Sequence, residues 1–163
     1  MPEIPSTQCK LDGRNELEEA INTVITLAQR YVRIFDYNLS EGGYNSALRL
    51  DVLRNFLLAS RANRLDIVLH DTDFLSRFCP RMILLLQQFS HAVRVNQIMP
   101  EARNAYDPFV IADQIHYVHR FHYEDRRAVM ALNDVQGALE LNRRFSEIWE
   151  MSTPSIFATT LGL

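Results

Sequence analysis

Lysine is nearly absent from this 163-residue sequence, in which Lys10 stands alone against 16 arginines. A P-loop, which needs GxxxxGK, is therefore excluded, and a Schiff-base lysine has no candidate in the body of the chain. Only five glycines occur, so a glycine-rich phosphate cradle is restricted to Gly42-Gly43. The motifs GxGxxG, GxSxG and HExxH are also missing. These absences remove the common nucleotide-binding, serine-hydrolase and metalloprotease sites.

Cysteines and long apolar runs are equally scarce. Cys9 and Cys79 are separated by 70 positions, with no CxxC and no histidine at ligand spacing, so we expect free thiols and no structural metal. The longest apolar run, Met82–Leu86, is too short to span a bilayer, and the N-terminus lacks a signal-peptide pattern. We therefore expect a cytoplasmic protein with no membrane partner, and we identify no cofactor-binding motif.

The composition indicates one ordinary globular domain. Apolar residues make up 47% and charged residues 23% of the sequence, which is long enough to bury its own core. The net charge of −3 argues against a surface that generally coats nucleic acid. We expect a flexible tail at residues 1–12, an α/β domain at residues 13–151 and a second tail at residues 152–163.

Helical and strand patterns alternate along the first two thirds of the chain. A helix is predicted to begin near Asp12, and later helices are predicted at Ser46–Ser60 and on either side of Pro80. Short β-branched and aromatic segments predict three intervening strands, at 31–36, 65–70 and 92–98. Strands joined by helices of this length form a parallel sheet.

The segment Tyr106–Tyr123 changes the pattern. It predicts two antiparallel strands with a tight turn at Asp113-Gln114. A last helix is predicted from Asn133 to about Met151, with an inward stripe of Val135, Ala138, Leu139, Phe145, Ile148 and Trp149. The predicted fold class is α/β: β-α-β-α-β, then a β-hairpin and a C-terminal helix, with a mixed sheet flanked by helices.

Acidic residues and a histidine follow two of the predicted parallel strands. Asp36 ends the first strand, and His70, Asp71 and Asp73 follow the second. Ligands of open α/β sheets bind at this carboxyl edge, where these aspartates could hold Mg²⁺ and His70 could act as a base. Helix capping alone also explains Asp71 and Asp73, and we favour that interpretation.

Three histidines of the hairpin segment, His116, His119 and His122, resemble a metal-binding set. On a strand, however, His119 points away from the other two, which lie about 20 Å apart at strand rise. We therefore predict no metal site and interpret these as partly exposed strand histidines. His116 is retained with the strand-end residues as a candidate member of a ligand cleft.

Two arginine pairs, Arg126-Arg127 and Arg143-Arg144, could form an anion patch. The neighbouring Glu124-Asp125 indicates mixed surface pairing instead, which contributes little to stability. We favour the second interpretation.

The predicted topology resembles one half of the phospholipase D-like fold, over roughly residues 14–151. That family carries HxKxxxxD, followed after six residues by GSxN. When Asp113 is aligned with the motif aspartate, the lysine position falls on Pro108 and the histidine position on Tyr106. The GSxN positions fall on Arg120, Phe121 and Tyr123. The segment Phe145–Ser152 also resembles the C-terminal signature of an uncharacterised bacterial domain sometimes found beside acetyltransferase domains.

In that family the histidine is the nucleophile and the lysine holds the phosphate oxygens. Tyr106 and Pro108 cannot replace both roles, so the resemblance implies a degenerate member of the family. Its sites form where two halves meet, so the resemblance further implies a homodimer with the hairpin near the two-fold axis, and a cleft for phosphate or nucleic acid. We expect a non-catalytic binding, regulatory or oligomerisation module. The alternative is a metal-dependent phosphodiesterase or nuclease that uses His70 and the strand-end aspartates.

Overall fold

A single mixed sheet runs through the protein, and our computed structural model describes residues 5–155 of the chain. The strands are β1 Thr7–Leu11, β2 Tyr31–Asp36, β3 Arg64–Leu69, β4 Val93–Ile98, β5 Phe109–Ala112, β6 His116–Arg120, β7 Ala128–Leu132 and β8 Ser152–Pro154. The helices are α1 Arg14–Leu27, α2 Ala47–Ala59, α3 Asp73–Phe78, α4 Pro80–Gln88 and α5 Val135–Glu150, with a 3₁₀ turn at Pro100–Ala102.

The strand order is β1-β7-β6-β5-β2-β3-β4-β8. Strands β2, β3 and β4 are parallel, as their helical crossovers require, whereas β5, β6, β7 and β1 form an antiparallel half beside β2. The predicted α/β fold class, with its parallel strands, hairpin and closing helix, is confirmed. The predicted turn lies between β5 and β6, and Asp113 adopts a φ of 56° there.

The two faces of the sheet bury different sets of side chains. On one face, α1, α2, α3 and α4 pack against strand residues such as Ile34 and Ile67. On the other face α5 packs against Phe35, Val68 and Phe109. Because strand residues alternate between faces, each central strand contributes to both cores.

Both predicted tails contain strands that the sequence did not reveal. β1 and β8 lie at opposite edges of the sheet, where polar, exposed residues are tolerated and leave no alternating apolar pattern. β7 was also missed, since its five residues directly follow the charged segment 124–127. The rest of the predicted C-terminal tail, residues 156–163, lies outside the described residues.

The predicted stripe of α5 was partly wrong. Val135 and Leu139 are 55% and 51% exposed, whereas Leu141 and Asn142 are buried. Ala138, Phe145 and Ile148 are buried as predicted. The sheet therefore selects one helical face, and two apolar residues near the start of α5 lie outside it.

Other local predictions hold. Gly42 and Gly43 take φ values of 95° and 77°, which suit glycine. α3 ends at Phe78, and α4 restarts at Pro80. Both cysteines are free thiols. Within the described part of the chain, no helix is both long enough and apolar enough to cross a membrane.

Candidate functional site

The carboxyl ends of β2 and β3 meet two segments from the antiparallel half of the sheet. Phe35 of β2 pairs with Phe109 of β5, so the residues just before β5 lie at the end of β2. Phe109 pairs in turn with His119, which brings the segment after β6 to the same edge. The motif-aligned residues Tyr106 and Tyr123 therefore approach Asp36 and His70 although they are far apart in the sequence.

Aromatic rings fill this edge. Tyr37 stacks on Tyr123 with centroids 4.2 Å apart, and on the His70 ring at 5.3 Å. His70 in turn stacks on Tyr106 at 5.4 Å. His122 lies 4.7 Å from Tyr123 and 6.0 Å from Tyr106, measured between centroids. We call these five side chains the ring cluster.

His70 is enclosed by its neighbours. Its Nε2 lies 2.7 Å from the carbonyl oxygen of Ala105, an acceptor that requires the proton on Nε2. Burial lowers the pKa of His70, and nearby Arg103 acts in the same direction. The ring is therefore held neutral, and its Nε2 already has a partner.

Asp36 and Arg120 lie beneath the ring cluster, and both are buried. The Arg120 Nη1 is 3.9 Å from the Asp36 Oδ1, and Arg120 also donates from Nε and Nη2 to the carbonyl groups of Asp125 and Tyr123. Burial raises the pKa of Asp36 to about 6, although Arg120 opposes the shift. A position that is glycine in the family motif thus holds a buried guanidinium.

The other strand-end residues serve the local backbone. The Asp71 Oδ1 accepts a hydrogen bond from the Asp73 amide at 2.9 Å, which fixes the turn into α3. Throughout residues 5–155, no three His, Cys, Asp or Glu side chains are grouped as metal ligands. The Asp71 carboxylate thus helps to initiate α3. The predicted capping role of Asp73 was wrong, because Asp73 lies inside the first turn of α3 and Thr72 is the N-cap residue.

His116 does not lie with the candidate cleft. It pairs with Ala112 at the opposite end of the hairpin, is buried, and accepts a hydrogen bond from the Asn133 amide through Nδ1. The expectation of a partly exposed side chain was wrong here, since His116 is only 2% exposed at the start of an interior strand that lies between β5 and β7. His122 lies beyond β6 in the following loop, so strand alternation does not apply to it.

The motif-aligned residues separate into two groups. Tyr106 is in the ring cluster, and the carbonyl of Pro108 accepts from the Arg120 amide at 2.9 Å. Asp113 lies at the far end of β5, where its carboxylate accepts from the amides of Gln29, Arg30 and Tyr31. The one motif residue retained in the sequence therefore joins the hairpin turn to the start of β2.

Three of the four arginines in the two arginine pairs form ion pairs. Arg127 bonds Asp125 at 2.7 Å, and Arg126 lies 3.6 Å from Glu41. Arg144 makes two hydrogen bonds of 2.7 Å with Asp107. These contacts agree with the mixed-pairing interpretation.

Sequence reasoning missed Asp107. Its Oδ2 lies 2.7 Å from the His119 Nε2, and together with Arg144 this contact ties the segment before β5 to β6 and α5. The only feature of the sequence that pointed to Asp107 was its position between the motif-aligned residues Tyr106 and Pro108.

Solved structures share this fold. A phospholipase D family member, Nuc from Salmonella typhimurium, superposes with a TM-score of 0.67 at 13% identity, over 93% of this chain and 99% of that chain. NucT from Helicobacter pylori gives 0.63 at 12% identity, over 93% and 100%. TrmBL2, an archaeal chromatin protein, gives 0.69 at 13% identity over 91% of this chain, which spans 54% of TrmBL2. No curated protein matches the sequence.

These likenesses and the sheet order show that the chain has a phospholipase D-like fold. More specifically, the chain belongs to the DUF7931 family, described as a domain of unknown function, whose match covers residues 13–158.

Proposed function

We propose that this protein is a non-catalytic phospholipase D-like module that acts as a homodimer through its ring-cluster face. The observation that carries the proposal is the replacement of the nucleophile position by Tyr106 and the phosphate-binding position by Pro108. Proline has no side-chain donor for a phosphate oxygen. A phenol hydroxyl lacks the lone-pair nitrogen with which an imidazole attacks phosphorus, so Tyr106 is a poor replacement for a histidine nucleophile.

The remaining histidine at this edge is poorly placed to substitute. His70 is stacked between Tyr37 and Tyr106, and its Nε2 donates to Ala105. A general base needs a nitrogen that can reach the reacting proton. The ring cluster thus supports a packing role for His70 rather than a catalytic one.

Hydrolysis of bis(p-nitrophenyl) phosphate, with and without Mg²⁺ or Mn²⁺, tests the absence of catalysis. We expect no turnover above the metal-only rate. Metal-dependent hydrolysis that disappears in His70→Ala but persists in His91→Ala, a change at an exposed histidine, would overturn the proposal in favour of a phosphodiesterase.

Surface chemistry supports a protein partner at this face. Tyr106 of the ring cluster is 43% exposed, and the adjoining groove contains acidic and basic residues in similar numbers. Phe121, which is 56% exposed, lines a neighbouring cavity and contacts Arg127, a residue that also lines that groove. Exposed aromatics with arginine are typical of protein interfaces, whereas nucleic acid requires an excess of positive charge. A second copy of the chain supplies the same aromatics and charges across a two-fold axis.

Light scattering on the wild type and two matched variants tests the dimer. We expect a dimer for the wild type and for Phe78→Glu, since Phe78 is 60% exposed but lies on α3. We expect Phe121→Glu to weaken dimerisation at least tenfold, because it places a charge in the interface. A monomeric wild type at high concentration, or equal effects of both variants, would refute this arrangement.

A further inference from the structure

A row of charged side chains crosses three adjacent strands on the α5 face of the sheet, away from the ring cluster. Arg33 of β2 is in register with Asp66 of β3, which is in register with Arg94 of β4. Arg94 binds Asp66 through two hydrogen bonds of 2.8 Å, from Nε and Nη2. Both carboxylate oxygens of Asp66 are therefore engaged by one of the two guanidinium groups.

Arg33 is left without a carboxylate of its own. No carboxylate lies within ion-pair distance of it in the described part of the chain. Its Nη1 donates to the neutral Oδ1 of Asn142 at 2.7 Å, and its buried Nε has no hydrogen-bond partner. The rings of Tyr31 and Phe145 flank the guanidinium at 5.4 and 5.7 Å. A partly buried cation held only by a neutral acceptor and two rings is poorly compensated.

A cavity of about 130 Å³ adjoins this guanidinium. It is lined by Arg33, Asp66, Arg94, Phe145, Ser146, Trp149 and Glu150. Trp149 lies against Arg94, whose guanidinium carbon is 4.6 Å from the indole centroid, so the apolar walls and the two guanidinium groups face a common space. The Ser146 hydroxyl is a further potential donor at this wall.

We propose that this cavity binds a small organic monocarboxylate, with its carboxylate against Arg33 and Arg94 and its apolar body against Phe145 and Trp149. A planar carboxylate matches the guanidinium fork. Asp66 already neutralises Arg94, so one positive charge, that of Arg33, remains uncompensated, and a single added negative charge is favoured over the double charge of phosphate. The cavity is also too small for a polymer. It lies away from the ring cluster, so this site is distinct from the proposed dimer face.

Trp149 is the only tryptophan of the sequence, so its emission reports on this cavity directly. Titration of the full chain with sodium butyrate should give a saturable change in Trp149 emission, whereas butanol and inorganic phosphate should give none. The change should need at least tenfold more butyrate in Arg33→Gln, because a charge-assisted hydrogen bond is lost. The matched control Arg126→Gln, which is exposed and remote in the fold, should behave as wild type.

Glu150→Gln provides a second variant that does not remove a packed arginine. It should bind butyrate several-fold more tightly, since a repelling carboxylate is neutralised. Absence of a saturable change in the folded wild type would overturn the site. An unchanged midpoint in Arg33→Gln, or an equal response to phosphate, would overturn its location or its selectivity.

Discussion

Asp36 carries a carboxylate in surroundings that disfavour its charge. Burial raises its pKa from the ordinary 3.8 to about 6, with Arg120 acting against that shift. The folded state therefore binds the proton more tightly than the unfolded state between these two values. The contribution of Asp36 to stability is greatest below pH 4 and is lost as the pH rises through 6.

The direction of this pKa shift predicts how the free energy of unfolding depends on pH. Between pH 4 and pH 7.5 the wild type should lose roughly 2–3 kcal/mol of unfolding free energy relative to Asp36→Asn, which cannot ionise. Urea unfolding at several pH values measures the difference, and the shared titration of other groups cancels in the comparison. Parallel pH profiles for the two proteins would contradict the raised pKa.

Asp113 illustrates a motif residue whose role is structural. Its carboxylate receives three backbone amides, from Gln29, Arg30 and Tyr31, and its φ of 56° belongs to the left-handed region that aspartate and asparagine tolerate. The residue thus fixes a turn and a strand start that are distant in sequence.

We expect Asp113→Ala to destabilise the fold by roughly 2–4 kcal/mol, because it leaves the three amides without this acceptor and places alanine at positive φ. Asp113→Asn keeps one acceptor oxygen and the backbone preference, so it should cost about half as much. Chemical denaturation of the three proteins gives the ranking. Equal stability of Asp113→Ala and wild type would show that these contacts contribute nothing.

At the scale of elements, α5 begins with an unusual contact. Asp134 caps the helix through the Gly137 amide and also accepts from the Tyr117 hydroxyl at 2.8 Å. A Cβ on Gly137 would collide with the Tyr117 hydroxyl oxygen and lie 2.5 Å from the Asp134 Oδ2. The absence of a side chain here allows β6 and the helix start to approach.

Glycine-to-alanine changes usually stabilise a helix by about 0.5–1 kcal/mol. At Gly137 we expect the opposite, a loss of about 1–3 kcal/mol, because Tyr117 must move. In a Tyr117→Phe background the penalty should shrink, since the closest colliding atom is gone. Thermal unfolding of the four proteins in this cycle tests the coupling, and additive effects would argue against it.

At the scale of elements, some strands and helices could be predicted from the sequence and others could not. Strands β2, β3 and β4 and the helices between them were predicted correctly. β2 and β3 are buried at most positions and therefore have apolar runs, whereas β4 is recognisable from its β-branched residues Val93, Val95 and Ile98. Edge strands β1 and β8 lack that pattern because one side faces solvent. Arg49 was likewise invisible: it is fully buried on α2, donating to Asn22 and to the Gly42 carbonyl.

The ring cluster and the buried Asp36 beside it could be predicted only in part. Asp36 and His70 follow from strand ends, a rule of sheet geometry. Tyr37 and Tyr123 become neighbours through the β2–β5 and β5–β6 pairings, which no local pattern encodes. The motif alignment assigned Tyr106 and Tyr123 to motif positions together with Asp113. Only the fold shows that Asp113 lies far from both tyrosines.

At the scale of the molecule, one sheet separates two cores of unequal size. The core beneath α1–α4 is the larger, whereas α5 is the one α-helix within residues 5–155 that covers the other face. β2 and β3 are paired on both sides and contribute to both cores. Local stability should therefore fall from the centre of the sheet towards both edges.

Hydrogen exchange followed by mass spectrometry or NMR tests this gradient. Amides of β2 and β3 should exchange most slowly, at rates near those set by global unfolding, and amides of β1 and β8 should exchange fastest among the strands. If β1 proved as protected as β3, a contact at its outer edge, such as a second subunit, would be required.

The pairing of β1 with β7 also has a kinetic consequence. It joins Thr7–Leu11 to Ala128–Leu132 and so closes a loop that contains most of the chain, whereas β2, β3 and β4 assemble from neighbouring segments. Closing so long a loop is entropically unfavourable until the intervening structure exists. We therefore expect β1 to pair with β7 late in folding. The strength of this pairing should then affect the unfolding rate more than the folding rate.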